Sequence, residues 1–252
     1  MFLQTILKKL IKQKMKTASL MPLNALVLGA CGAGGTDKSG TEDATGSTLI
    51  RGNVIKGPIT NAIVFSDLDG DATLDNSEPY TYTDENGNFV LSVKDSLAKL
   101  IALGQPSSLD KSSGASASHI YLSGTTAGTV ISPFSTLIAD TALSASELAK
   151  SVGVPNLDLL NFNPYGASAA EVQSVFVETT SHQLANVIFG LAEATKVSGL
   201  SSAQSKQVVI DSVATLLKKK IDTGQTVDLS NDEDLQSISQ NILESTELST
   251  AN

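Results

Sequence analysis

The sequence predicts an α+β protein, in which an N-terminal antiparallel β-sandwich is followed by a C-terminal α-helical bundle. Two observations predict this class. Between Thr48 and Thr129, short apolar or alternating segments are separated by turn residues, with no helical pattern between them. Such a run of short strands is typical of an antiparallel sandwich. Beyond residue 130, Ser-x-x-Glu/Gln motifs and apolar residues at helical spacing replace that pattern, which indicates helices.

The 252-residue chain divides into a leader, a tether, a sandwich and a helical domain, at residues 1–30, 31–47, 48–129 and 130–247. In the leader, five lysines precede an apolar stretch that begins near Ala18 and ends in Leu28-Gly29-Ala30-Cys31. This stretch is too short to span a bilayer but has the length of a signal-peptide core. Translation from Met15 would also produce a compact leader, so both starts stay open.

The end of the leader resembles a bacterial lipobox, in which a signal peptidase cuts before a cysteine that then carries a lipid. The resemblance implies lipidation of Cys31, and Gly32 in place of an acid after it resembles proteins sent to the outer membrane. We therefore expect a lipid-anchored protein of the bacterial cell envelope. Cys31 is the sole cysteine, which excludes an intramolecular disulfide.

Residues 32–47 are rich in Gly, Ser, Thr and acids and contain no large apolar side chain. Such a segment cannot bury enough surface to fold, so we interpret it as a flexible tether. Five of the 17 basic side chains lie in the leader, so 12 remain against 26 acidic ones, a formal charge of −14. That charge argues against a nucleic-acid partner and favours cations.

Within the sandwich we expect strands at residues 49–55, 61–65, 80–83, 88–93, 99–103 and 119–122. Turn residues such as Lys56-Gly57-Pro58 separate them. Asp84-Glu85-Asn86-Gly87 lies between two of these strands and predicts a hairpin turn.

In the helical domain, Pro133 fits the first turn of a helix that begins near Phe134. Four capping boxes then predict helix starts, at Ser144/Glu147, Ser168/Glu171, Ser201/Gln204 and Ser230/Glu233. Gly153 and Gly199 stand where helix ends favour a left-handed residue. Residues 218–220, three lysines, are expected to close a helix at the negative end of its dipole.

The stretch VFSDLDGDATLDNSE, residues 64–78, fits two different motifs. Asp67 and Asp69 directly follow an apolar run, which resembles the D-x-D-G-T opening of haloacid-dehalogenase-type phosphatases. That resemblance implies a nucleophilic aspartate, magnesium and a parallel sheet. The match is incomplete, because Asp71-Ala72 separates the glycine from Thr73 and no alternating strand–helix units follow. The phosphatase interpretation is kept as a minor alternative.

Counted from its first aspartate, the same stretch is a calcium loop. Oxygen-bearing residues occupy positions 1, 3, 5, 7, 9 and 12 of an EF-hand pattern: Asp67, Asp69, Asp71, Thr73, Asp75 and Glu78. Ca²⁺ binds six to eight oxygens, here from carboxylates and the Thr73 carbonyl. The sixth position, glycine in EF-hands, is Ala72, which would be strained at positive φ. We predict an EF-hand-like calcium site, and the alternative is a solvated acidic turn without an ion.

Several turn and strand residues around this loop recur in a known order: Gly52-Asn53-Val54, Gly57-Pro58-Ile59, Ala62-Ile63-Val64-Phe65, Glu78-Pro79-Tyr80-Thr81-Tyr82-Thr83-Asp84 and Gly87-Asn88-Phe89. Over residues 50–93, the chain resembles the B-type repeats of bacterial surface adhesins and the related carboxypeptidase-regulatory-like, transthyretin-like sandwiches. The resemblance implies that calcium binds the acidic loop and stiffens the sandwich. Residues 130–138, VISPFSTLI, are similar to a V-T-P-L-T-T-L segment that follows such domains in large secreted bacterial proteins.

These observations predict a calcium-binding envelope protein with a structural or adhesive role, a possible surface or matrix protein partner, and no catalytic activity. No serine lies in a G-x-S-x-G motif, and the cysteine is assigned to the lipid. His119 and His182 are the only histidines, and a shared metal site is not supported. The alternative is a ligand-binding accessory lipoprotein that delivers a substrate to a membrane partner. It would place Phe162, Tyr165 and Phe176 around one pocket between the two halves.

Overall fold

The computed structural model describes residues 47–94, 98–166 and 172–250. It is an α+β structure: antiparallel sheets form the strand half, residues 48–131, and five α-helices form the described helical half, residues 133–250. The predicted leader, Cys31, nearly all of the tether and the Ser168/Glu171 capping box lie outside the described residues.

The strands are β1 Thr48–Val54, β2 Ile59–Thr60, β3 Ile63–Asp67, β4 Tyr80–Tyr82, β5 Asn88–Val93, β6 Lys99–Leu103, β7 Leu109–Asp110, β8 Ala115–Ser116, β9 Tyr121–Thr125 and β10 Val130–Ile131. They form three sheets with the orders β4-β3-β6-β9, β10-β1-β5 and β2-β7-β8. Every pairing between named strands is antiparallel except that of β1 with β10.

The two larger sheets contribute side chains to one core. Alternation along each strand sends every second residue to that core. Its members include Val54, Phe89 and Leu91 from one sheet and Val64, Leu100, Ala102 and Leu122 from the other. The opposite face of the four-stranded sheet carries Phe65 beside Ile101 and Asp67 beside Lys99.

All six expected strands are present, although the last begins at Tyr121 rather than His119. The remaining four strands have two residues each, too few to show a periodicity in the sequence. The turn at residues 84–87 forms, with Gly87 at φ 76° donating to the Asp84 carbonyl. The turn connects strands of two different sheets, so it does not form the predicted hairpin. β5 pairs with six residues of β1, whereas β4 pairs with β3.

The helices are α1 Pro133–Asp140, α2 Ala145–Ser151, α3 Val172–Thr195, α4 Ser202–Asp222 and α5 Asp232–Thr250, and a 3₁₀ turn, Lys196–Ser198, follows α3. Their shared core includes Phe134, Leu137, Leu148, Leu184, Ile188, Ile210, Val213, Leu217, Ile238 and Ile242. In the part of the chain that the structure describes, none of the helices is both long enough and apolar enough to cross a membrane.

Most of the predicted helix ends are confirmed. The capping boxes at Ser144/Glu147 and Ser201/Gln204 both form, and Gly153 and Gly199 have φ of 86° and 87°. Lys219 and Lys220 lie in the last turn of α4, and Lys220 also pairs with Asp234 at 2.7 Å.

The expected cap at Ser230 is wrong by one residue. The Asn231 side chain accepts the Glu233 N–H at 2.8 Å, whereas the Ser230 hydroxyl donates to Asp228. Asparagine caps helices at least as well as serine, and the nearby carboxylate holds the serine hydroxyl. Asn231 therefore caps α5, which begins at Asp232.

The segment VISPFSTLI joins the two halves. Ile131 packs in the strand core and Phe134 in the helical core, while Ser132 caps α1. The Thr136 hydroxyl accepts the Ser123 N–H at 2.9 Å. The Ser135 hydroxyl donates to the Ser123 carbonyl at 2.6 Å. Because β9 is an edge strand, α1 covers backbone groups that would otherwise be open to another chain.

Candidate metal centre

The acidic loop connects two neighbouring antiparallel strands. Asp67 is the last residue of β3, and Tyr80 is the first residue of β4. The strands pair from Ile63 with Tyr82 to Phe65 with Tyr80, and the Ser66 N–H donates to the Pro79 carbonyl at 3.1 Å. The sheet therefore holds both ends of the loop in place.

Three carboxylates of this loop converge. Asp67, Asp69 and Asp71 each place one oxygen so that all three oxygens lie within 4.8 Å of one another. Backbone N–H groups orient them: Asp67 accepts from Gly70 at 2.9 Å, Asp69 from Asp71 at 3.1 Å and Asp71 from Thr73 at 2.7 Å. Successive turns of this kind bend the chain around the carboxylates. Together the three oxygens could hold a metal ion.

Asp67 differs from the other two because it is buried. Only 4% of its surface is exposed, whereas Asp69 and Asp71 are exposed. Its Oδ1 accepts the Gly70 N–H, but its Oδ2 is buried without a hydrogen-bond partner. A buried polar atom without a partner carries a desolvation penalty of about 1–3 kcal/mol, and more if it is charged. A cation among the three carboxylates would remove this penalty.

The loop adopts the backbone turn that an EF-hand-like pattern needs at its sixth position. Ala72 has φ of 60°, one of two non-glycine residues at positive φ in the described chain. The left-handed conformation costs a residue with a Cβ roughly 1–2 kcal/mol. The predicted strain at Ala72 is thus present.

The remaining predicted ligands lie at the base of the loop. Glu78 is buried, and its two oxygens accept from the N–H groups of Leu68 at 2.7 Å and Asp75 at 3.3 Å. Asp75 accepts the hydroxyl and N–H of Ser77, which lower its pKa. The Thr73 N–H donates to Asp71. The structure thus brings Asp67, Asp69 and Asp71 together. Glu78 connects the first part of the loop to its end through its bonds to Leu68 and Asp75.

Apart from the loop, no other group of three His, Cys, Asp or Glu side chains in the described residues has metal-binding spacing. His119 contacts the Phe189 ring edge-on at 5.9 Å. His182 lies on α3, and burial lowers its pKa, as does Lys56. Its Nε2 lies 3.5 Å from the Tyr165 hydroxyl. The two histidines have different surroundings, and neither belongs to the loop.

Phe162, Tyr165 and Phe176, which the ligand-delivery alternative would place around one pocket, have different surroundings. Phe176 lines an open cleft of about 300 Å³ on the helical half, together with Val154, Pro155, Leu157 and Val172. Phe162 packs against the helical core. The Tyr165 hydroxyl donates to Glu178 at 2.7 Å, and burial raises the pKa of Tyr165. The cleft lined by Phe176 includes neither of the other two rings.

Comparisons with protein-family models, with curated proteins and with solved structures found no match for this chain.

Proposed function

We propose that the protein is a calcium-binding protein of the bacterial cell envelope, anchored by a lipid on Cys31, with a structural or adhesive role and no catalytic activity. In this proposal the strand half is a β-sandwich that binds calcium at its acidic loop, and the helical half is a bundle. The observation that carries the proposal is the buried Oδ2 of Asp67, which lacks a partner beside two other converging carboxylates.

The donor set favours calcium over other metals. The loop offers carboxylate and carbonyl oxygens without a nitrogen or sulfur ligand, which suits a hard cation. Mg²⁺ requires near-ideal octahedral geometry, whereas Ca²⁺ accepts irregular sets of oxygens. An exposed loop with Asp69 and Asp71 at its surface can adjust to such a set, and Glu78 can join it by releasing its backbone bonds.

The ion would act on stability. Three carboxylates within 4.8 Å of one another repel when no cation is present. A cation that binds only the folded loop stabilises the fold by about 2.7 kcal/mol at 100 times its Kd. Extracellular modules bind calcium with Kd of about 10⁻⁴–10⁻³ M. A site of this affinity, at the connection between β3 and β4, suits a structural role.

Calorimetric titration with calcium tests this proposal. Asp69→Asn removes one exposed carboxylate from the cluster, and Glu85→Gln removes one exposed carboxylate from a neighbouring turn. We expect one-to-one binding by the wild-type protein and by Glu85→Gln, and binding at least tenfold weaker in Asp69→Asn. No binding at millimolar calcium, or equal affinity in both variants, would contradict the proposed site.

The anchor has a separate test in cells. Metabolic labelling with a fatty acid should tag the wild-type protein and place it in the membrane fraction. The Cys31→Ser variant should take up no label and should be absent from the membrane fraction. Label on the variant would show that the lipid is carried elsewhere.

Two other functions have weaker support. A haloacid-dehalogenase-type phosphatase needs its aspartates at the end of a strand in a parallel sheet, whereas β3 pairs antiparallel on both sides. The ligand-delivery alternative expected Phe162, Tyr165 and Phe176 around one pocket, and they have different surroundings. The ligand-delivery alternative also leaves the unpartnered oxygen of Asp67 unexplained.

A further inference from the structure

A lysine lies beside the acidic loop on the same face of the sheet. In the pairing of β3 with β6, Asp67 is directly opposite Lys99. Directly opposite residues of antiparallel strands share a face, with Cβ atoms about 4.5–5.5 Å apart. The Lys99 side chain therefore starts next to the buried aspartate of the loop.

The Lys99 ammonium pairs with Asp140, the last residue of helix α1. Its Nζ lies 2.7 Å from Oδ1 of Asp140, whose side chain is only 3% exposed. The other oxygen of Asp140 accepts the Ser123 hydroxyl at 2.8 Å. The Asp140 carbonyl accepts the Gln207 amide of α4 at 3.3 Å. Asp140 thus attaches the end of α1 to β6, β9 and α4.

The Lys99 side chain thus begins opposite one buried carboxylate, Asp67, and ends on another, Asp140. Both act on the same neighbour: burial raises the pKa of Tyr121, and the charges of Asp140 and Asp67 raise it further. Asp140 has partners for both oxygens, whereas Oδ2 of Asp67 has none. An uncompensated charge on Asp67 would compete with Asp140 for Lys99, whose ammonium pairs with Asp140 in the structure. With a cation, the charge of Asp67 is compensated and Lys99 pairs with Asp140 alone.

We infer that Lys99 couples calcium binding at the acidic loop to the attachment of helix α1 on the sheet. The inference rests on the proposed calcium site and adds a consequence to it. Calcium strengthens the Lys99–Asp140 ion pair, which is one of the contacts that hold α1 on the sheet. The ion therefore stiffens the joint between the two halves as well as the loop that binds it.

Hydrogen exchange measured by mass spectrometry, in calcium and in EDTA, tests the coupling. In the wild-type protein, calcium should slow exchange of the α1 amides, residues 133–140, by roughly two- to fivefold, the effect of a partly exposed ion pair. In Lys99→Met, exchange in α1 should no longer depend on calcium. Calorimetry should show that this variant still binds calcium, at least as tightly as the wild type, because a positive charge beside the site is gone.

Lys56→Met is the matched control. Lys56 makes a comparable ion pair, 3.0 Å from a buried carboxylate of Asp110 in β7, and does not pair with α1. This variant should keep the calcium effect on α1. Lys99→Arg, which keeps the charge, should also keep it and serves if Lys99→Met fails to fold.

The outcomes separate the two proposals. Absence of calcium binding by the wild-type protein would overturn the calcium site and the coupling together. Binding without any change in α1 exchange would overturn the coupling and leave the site standing. A calcium effect on α1 that persists in Lys99→Met would show that Lys99 does not carry it.

Discussion

Replacing Asp67 by asparagine distinguishes a metal ligand from an ordinary buried acceptor. Asparagine keeps an oxygen that can accept the Gly70 N–H, now 2.9 Å from Oδ1. It removes the charge from the buried Oδ2 position, which has no partner. The shape of the side chain is nearly unchanged, so the effect on stability reports the charge and not a cavity.

The size of the effect depends on calcium. In EDTA, asparagine relieves repulsion from Asp69 and Asp71 and loses the attraction of Lys99, so we expect stability within about 1 kcal/mol of the wild type. At a concentration of 100 times Kd, calcium raises the free energy of unfolding of the wild type by about 2.7 kcal/mol and that of the variant by little. For a chain of this size, that gap corresponds to roughly 5–10 °C in Tm.

Urea denaturation in EDTA and in calcium at 100 times the Kd found by calorimetry measures this difference. The protein contains no tryptophan, so far-UV circular dichroism is the suitable signal. We expect the two denaturation curves to separate only when calcium is present. If Asp67→Asn lowers the midpoint equally in both conditions, Asp67 stabilises the fold without an ion and the metal-site argument fails.

Three further changes have definite expected signs. Ala72→Gly relieves the left-handed strain at φ 60°, partly offset by a more flexible unfolded chain, so the free energy of unfolding from urea denaturation should rise by about 0.5 kcal/mol; a lower value would contradict this conformation. Because burial lowers the pKa of His182, the unfolded chain binds that proton first; stability should be unaffected well above pH 6.5 and fall as the pH drops below it. His182→Gln should remove that part of the slope, and an unchanged slope would assign it to other groups. Ser135→Ala leaves the Ser123 carbonyl without this hydroxyl and should cost about 1–3 kcal/mol, whereas loss of the exposed Ser245 hydroxyl should cost far less; equal losses would show that α1 does not secure the edge of β9.

Local features of the fold could be predicted from the sequence. The strand at residues 88–93 has the predicted bounds, and the capping boxes at Ser144 and Ser201 form. Gly153 and Gly199 take the left-handed conformation. These features depend on residues within a few positions of one another, so periodicity and capping chemistry identify them.

Strand pairing could not be predicted in the same way. The turn at residues 84–87 has hairpin chemistry, yet the two strands beside it join different sheets. The choice depends on β1, whose residues lie more than thirty positions earlier in the chain. Competition also displaced the cap from Ser230 to Asn231, because Asp228 binds the serine hydroxyl.

The candidate site likewise combines features that the local sequence determines with features that depend on long-range packing. The spacing of Asp67, Asp69 and Asp71 by itself determined that three carboxylates could surround one point, since alternate residues of a tight loop face inward. Only the tertiary structure decided that Asp67 is buried with an unpartnered oxygen and stands opposite Lys99. Lys99 in turn meets Asp140, 41 residues further along the chain. Burial and long-range ion pairs arise when the sheet and α1 pack together, and no local pattern of residues encodes that packing.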